Sequence, residues 1–249
     1  MLVSHEHKFI FLKSIKTAST SVFGFFLPYC LPKEKAEKYN YSFKSSQDLI
    51  GKYQTGMIGL IKHTKGKEAR LQHVQTSTAK KTLDSIDENI WKDYFKFSIV
   101  RNPFDLLVSL YFFRINYTWK VNPKLKPKGN LKLPFKKPNN LKEHKQNFYQ
   151  FLTNLINDKI YHRPKGYIYY KINNEFVCDY HIRYENLKEG IEYVCQKCNI
   201  KNYNFKNLKH FRSNTKPKNL KYQDMYNETT KELAYNFYKE DFEKFDYKF

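Results

Sequence analysis

Apolar positions along this chain switch repeatedly between two spacings, and the switches predict its elements. Phe9–Leu12 is a short unbroken apolar run, as expected of a strand buried on both faces. A polar stretch follows, and then Val22, Phe23, Phe25 and Phe26 continue as the apolar side of a helix. That helix runs through about Leu27 and is stopped by Pro28 and Pro32. Residues 33–70 are polar and weakly periodic, with one strand expected at Met57–Lys62. Thr76–Leu83 and Asp87–Tyr94 read as short helices, the second with Asp87 as N-cap. Tyr94–Val100 alternates and is β-rich, which predicts a second core strand.

The next helix has a strong start signal, with Asn102 as N-cap and Pro103 at the first helical position. Phe104, Leu107, Val108, Tyr111, Phe112 and Ile115 recur at helical spacing. Leu106, Leu110 and Phe113 fill its other faces, so it is expected to be buried on most sides. Residues 118–145, rich in Lys, Pro and Asn, read as a loop or mobile insert. Phe148–Ile156 is helical, Tyr167–Tyr184 reads as paired strands around Asn173-Asn174, and Leu187–Cys198 is again a helix. A polar loop through Tyr222 leads to a last helix near Glu228–Tyr238 that presents Leu233, Ala234, Phe237 and Tyr238. Strands alternating with helices imply an α/β fold with a parallel sheet flanked by helices. The 249 residues, 41% of them hydrophobic, suit one large domain over 1–249 with 118–145 as its insert.

Composition adds a field but no partner. A formal charge of +21 attracts polyanions: nucleic acid, acidic membranes or acidic glycans. Yet only six of the 45 basic residues are arginine, and Lys, Asn, Tyr, Phe and Ile are all abundant. An AT-rich genome produces that bias without any selection for basicity, so the charge alone decides little. The four cysteines (Cys30, Cys178, Cys195, Cys198) are too few for a disulfide scaffold. Cys195 and Cys198 have the spacing of a redox or metal half-site, but no second pair completes a zinc site; on a helix they read as buried structural thiols. No metal site is expected. No apolar run reaches the ~18 residues that a membrane span needs, and no signal-peptide core is present. The expectation is a soluble protein of a reducing compartment, the cytoplasm.

Chemistry enters at the two strand ends. After Phe9–Leu12 come Lys13, Ser14, Lys16, Thr17, Ser19, Thr20 and Ser21, with Ala18 among them. A strand turning through lysines and hydroxyls into a helix N-terminus makes an anion site from N–H groups, helix dipole and ammonium. A Ser/Thr helix cap has the same composition. The second strand ends at Arg101, with Ser109 two turns into the following helix. In an open parallel sheet, ligands bind beyond the C-terminal ends of strands, and two separated anion sites suit a nucleotide with phosphates at two positions. No glycine lies between Lys8 and Val22, so the loop is not a Walker P-loop and small Ala18 and Ser19 must permit the close approach.

These segments carry a resemblance. Lys13-Ser-Ile-Lys-Thr-Ala-Ser-Thr-Ser21 is similar to the 5′-phosphosulfate loop of sulfotransferases that use 3′-phosphoadenosine 5′-phosphosulfate (PAPS). The likeness is to their carbohydrate branch, which includes heparan sulfate 2-O-sulfotransferase. Phe97-Ser-Ile-Val-Arg-Asn-Pro-Phe-Asp-Leu-Leu-Val-Ser109 resembles the 3′-phosphate motif of that family. Arg183-Tyr-Glu-Asn-Leu187 and the ending Tyr238–Tyr247 resemble the same branch. The resemblance implies a P-loop-kinase-like fold and PAPS as sulfuryl donor, with no metal. It implies that Lys16 is the catalytic lysine and that Lys13, Thr17, Ala18, Ser19, Thr20 and Ser21 form the cradle for the 5′ group. Arg101 and Ser109 would hold the 3′-phosphate. A histidine acts as base in the 2-O-sulfating relatives; His63 and His73 are the choices, and Gln72-His73-Val-Gln-Thr-Ser favours His73. Arg212 and Ser213, in His210-Phe-Arg-Ser-Asn-Thr215, lie where the family closes a loop over the nucleotide. Glu185 is either a carboxylate of the site or a cap within the fold.

The expected activity is therefore sulfuryl transfer from PAPS to a hydroxyl acceptor, a carbohydrate, with no specific nucleic-acid partner. Two alternatives stay open on the residues alone: a nucleotide-binding protein of kinase-like fold without sulfation activity, and a basic nucleic-acid-binding module with interleaved aromatics.

Overall fold

A computed structural model describes residues 1–31, 79–84, 86–120, 138–157, 169–209, 216, 217 and 219–249. The strand expected at Met57–Lys62 and the start of Thr76–Leu83 lie outside them. Contacts divide the chain into two compact units, Met1–Arg101 with Gly166–Arg212 and Asn102–Lys165 with Ser213–Phe249. Each is described by itself.

The first unit is built on a four-stranded sheet. Its strands are β1 (Leu2–Ser4), β2 (Phe9–Leu12), β3 (Phe95–Val100) and β6 (Tyr180–Arg183), in that spatial order. β1 runs antiparallel to β2, with Leu2 opposite Phe11. β2 and β3 are parallel, with Leu12 opposite Ser98, and β3 and β6 are parallel, with Val100 opposite Arg183. Between Ser4 and Phe9 the chain reverses through Lys8 at φ 48°. The pattern of the sequence predicts β2 and β3 at nearly these bounds. β1 is not predicted, because three residues are too few to display a period.

Alternation sorts the side chains to two faces. Leu2, Phe9, Phe11, Phe97, Ile99 and Ile182 pack on one face with Val22, Phe25 and Phe26 of α1 (Ser19–Phe26) and with Ile191, Val194 and Cys195. Val3, Ile10 and Leu12 pack on the other with Ala79 of α2 (Ala79–Leu83) and Ile86, joined by Ile90 and Trp91 of α3 (Glu88–Asp93). Helices thus cover both faces of a mostly parallel sheet, as expected from the alternating elements. Asp87 caps α3 as predicted, its side chain accepting from the Asn89 N–H at 2.8 Å.

Asn173 and Asn174 both have positive φ, 49° and 68°, and turn β4 (Lys171–Ile172) into β5 (Glu175–Phe176). This is the primed turn that asparagine pairs favour. The expectation of paired strands over Tyr167–Tyr184 needs one correction. Only β4 and β5 pair with each other; Tyr180–Arg183 leaves the hairpin and joins the main sheet beside β3. Strand pairing is non-local, and no periodicity within the segment encodes its partner.

The second unit is helical. α4 (Pro103–Lys120) starts where predicted: the Phe104 N–H donates to Asn102 Oδ1 at 3.0 Å, and Asn102 O accepts from the Leu106 N–H at 2.9 Å. α5 (Leu141–Ile156) begins seven residues before the expected Phe148, because Asn140 accepts from the Glu143 N–H at 3.0 Å and caps a charged first turn. The loop expected over 118–145 is therefore helical at both ends, 118–120 and 141–145; residues 121–137 lie outside the described ones. In the first unit, Leu187–Lys197 forms α6. α7 (Glu228–Phe237) and α8 (Lys239–Phe245) complete the second. Phe104, Leu107, Val108, Tyr111 and Ile115 meet Phe148, Phe151, Tyr226, Ala234 and Phe242 in a core of that unit's own. The Tyr226 hydroxyl donates to Phe104 O at 2.9 Å inside it.

One glycine fixes how closely α6 approaches the sheet. A Cβ on Gly190 would lie 2.6 Å from Cγ2 of Ile182, a fully buried β-branched side chain with little rotamer freedom. Gly190→Ala gains about 1 kcal/mol of helix propensity but overpacks the contact at a cost of about 1–3 kcal/mol. Net destabilisation is the expected outcome in a denaturant titration, and Gly190→Ala combined with Ile182→Val should recover part of it.

Candidate functional site

Parallel pairing brings three strand ends to one edge of the sheet. β2 ends at Leu12, β3 at Val100 and β6 at Arg183, and the chain continues there as Lys13, Arg101 and Tyr184. Ser98 ties the first two ends together, its hydroxyl donating to Leu12 O at 2.7 Å.

The loop from Lys13 to Ala18 is held from within by its hydroxyls. Ser14 Oγ donates to Ile99 O at 2.6 Å. Because that uses the single proton of Ser14, the 2.7 Å contact between Ser14 Oγ and Thr17 Oγ1 has Thr17 as donor. Ser19 Oγ donates to Ser14 O at 2.5 Å. The hydroxyl protons of Thr17 and Ser19 are thus committed inside the loop, and Ser14, singled out only as one of the hydroxyl cluster, is its hub. Lys13 is buried, with Nζ 5.2 Å from the Phe23 ring centroid.

Backbone conformation gives the loop its concavity. Lys16 has φ 59° and Ala18 φ 56°, flanking Thr17, in a stretch without glycine. A non-glycine residue in the left-handed region costs on the order of 1–3 kcal/mol and persists where surroundings over-determine it. Alternating φ signs turn successive N–H groups toward one side, the geometry that binds anions. The helix adds its own donors. Ser21 N–H closes on Ala18 O at 2.8 Å, while Ser19 and Thr20 stand in the first turn, where N–H groups have no intrahelical acceptor.

Arg101 reaches this loop directly. Its Nη1 donates to Lys16 O at 2.6 Å, and its Cζ lies 4.0 Å from the centroid of the Tyr184 ring. A tie between the two expected anion-binding positions was not foreseen from the sequence, and neither was Tyr184. The only available signal for Tyr184 was its place in Arg183-Tyr-Glu-Asn, a motif that names no contact.

The remaining predicted residues are not all brought together. Ser109 is buried in α4, in the second unit. His63, His73, Arg212 and Ser213 lie outside the described residues. Glu185 is exposed in the turn Tyr184–Asn186. None of the four cysteines forms a disulfide, and burial pushes the thiols of Cys195 and Cys198 up to about 12. They stay protonated at neutral pH and pack as apolar groups, in keeping with the structural reading. Among the described residues no group of His, Cys, Asp and Glu could hold a metal ion, and no helix is long and apolar enough to cross a membrane.

A strand–loop–helix anion cradle beside a strand-end arginine is shared by many nucleotide-binding proteins, and the whole chain decides among them. The model of the Sulfotransferase family matches residues 1–248. The chain belongs to the sulfotransferase family. No curated protein and no solved structure matches it. The family assigns sulfuryl transfer in general terms. In this sulfotransferase the loop Lys13–Ala18, the first turn of α1 and Arg101 form one basic edge at the end of a parallel sheet, the position where such sheets bind ligands.

Proposed function

We propose that this sulfotransferase moves a sulfuryl group from PAPS to a hydroxyl of a carbohydrate, in the manner of the heparan sulfate 2-O-sulfating branch, and that residues 1–249 work as one sulfotransferase domain of P-loop-kinase-like fold. The observation that carries the reading is the tie between Arg101 and the Lys16 carbonyl, at adjacent parallel strand ends of a chain that matches the family from 1 to 248. The residues present fit a donor with two anionic ends: a concave N–H-rich loop with a buried lysine at one, and an arginine fork suited to phosphate at the other.

When bound, the donor supplies an activated sulfuryl group, whose bond to the 5′-phosphate oxygen breaks as the acceptor oxygen bonds to sulfur. Lys16 lies at the loop to neutralise charge gathering on that departing oxygen. Because the hydroxyl protons of Thr17 and Ser19 are used within the loop and the Ser21 N–H closes on Ala18 O, its grip on the 5′ group comes from backbone N–H groups around Ala18–Thr20 and from Lys13. The family resemblance assigns Arg101 and Ser109 to the 3′-phosphate and Arg212 and Ser213 to further phosphate or sulfate contacts. His73 accepts the proton that the acceptor hydroxyl gives up.

Thermal unfolding tests this reading against its rivals. Saturating 3′-phosphoadenosine 5′-phosphate is expected to raise the melting temperature by about 5–10 °C, with ATP giving less and single-stranded DNA little. Arg101→Ala should remove most of the shift and leave a weak, still titratable affinity. Equal stabilisation by any polyanion would favour a nucleic-acid-binding module, and no selective shift would sink the PAPS reading.

A further inference from the structure

Resting on the PAPS reading above, we propose that Tyr184 is a positioning residue of the sulfuryl-transfer site, acting through Arg101 on the loop that carries Lys16. Three groups from separate strand ends make the chain of contact. The Tyr184 ring lies 4.0 Å from the Arg101 guanidinium carbon, and that guanidinium donates through Nη1 to Lys16 O at 2.6 Å. The Lys16 backbone is held at φ 59°, a conformation that a lysine adopts only under constraint. The hydrogen bond from Arg101 is one such constraint, and a charged donor makes it a strong one. The guanidinium is itself half-buried on a rotamer-rich side chain, so a planar face beneath it removes most of the freedom it would otherwise keep. The register explains why this tyrosine stands there: Val100 lies opposite Arg183, so the residues that follow, Arg101 and Tyr184, leave the sheet side by side. A hydrogen-bonding role for the Tyr184 hydroxyl is not needed for this, since the ring face alone meets the cation. The consequence is that Arg101 arrives at a phosphate already oriented, and that the position of Lys16 depends on a ring two strands away.

Tyr184 also packs against the apolar core of its unit, so the test must separate positioning from packing. Tyr184→Leu keeps apolar bulk and removes the π face; Tyr184→Phe keeps the face and removes the hydroxyl. Each is compared alone and with Arg101→Ala by titrating 3′-phosphoadenosine 5′-phosphate, with the unliganded melting temperature as a check on folding. The expected result is a dissociation constant raised about tenfold in Tyr184→Leu and unchanged within twofold in Tyr184→Phe. Once Arg101 is alanine, Tyr184→Leu should have almost no further effect, the non-additivity of residues acting in series. Independent, multiplying effects would overturn the proposal, as would Tyr184→Phe binding as poorly as Tyr184→Leu. If the wild-type protein does not bind the bisphosphate, the PAPS reading fails and this proposal falls with it; if it binds and the effects multiply, the proposal alone fails.

Discussion

Lys16→Ala is expected to slow sulfuryl transfer by about 10²–10³-fold, the usual cost of removing one preorganised donor from developing negative charge. Lys16 is half-buried in a loop whose other parts are fixed by Ser14, Thr17, Ser19 and Arg101. Its loss therefore removes a charge without removing the cradle. Bisphosphate affinity should fall much less than the rate, because the charge that Lys16 meets is largest in the transition state. Lys16→Arg should rescue only part of the rate, since a planar fork does not reproduce a compact ammonium at the same point. Transfer of labelled sulfuryl to hydroxyl acceptors, measured beside bisphosphate titration, checks both quantities. Equal loss of binding and rate would reassign Lys16 to ground-state binding.

Phe97→Ala should be the most damaging single change to the first unit, costing about 3–5 kcal/mol. The side chain is fully buried at the centre of β3. It stacks on Phe11 at 5.1 Å between centroids, meets Phe26 edge-on at 5.2 Å, and lies 5.7 Å from Phe9. Truncation forfeits its burial and these aromatic contacts and leaves a cavity that a sheet paired on both sides of β3 cannot collapse to fill. A whole domain is stable by only about 5–15 kcal/mol, so the variant should unfold well before the wild type in urea. Phe97→Leu should cost less. A midpoint shift in Phe97→Ala no larger than that of a surface substitution would show that this ring is not central to the core.

Much of this was legible because it is local. Phe9–Leu12 and Tyr94–Val100 declare themselves as buried strands by composition and spacing, and Asn102-Pro103 declares a helix start that the Asn102 cap bears out. Asn173-Asn174 names its own turn through positive φ. The misses are of another kind. β1 is too short to show a period. α5 starts early because a cap at Asn140 extends a helix whose first turn, with Leu141 exposed, buries nothing apolar. That the Thr17 and Ser19 hydroxyls donate inside the loop was invisible too, because composition reveals a hydroxyl but not where its proton goes. Tyr184 gave no sign of its stacking on Arg101.

By itself, then, the sequence determined the elements, the two faces of the strands and the two basic strand ends, because propensity, capping and alternation act within a few residues. Which strands became neighbours, and hence that Arg101 holds the carbonyl of Lys16 and rests on Tyr184, was decided only in the tertiary structure. Register between strands far apart in the chain is settled by the packing of both sheet faces at once, and that information is spread over the whole core rather than written at any one position.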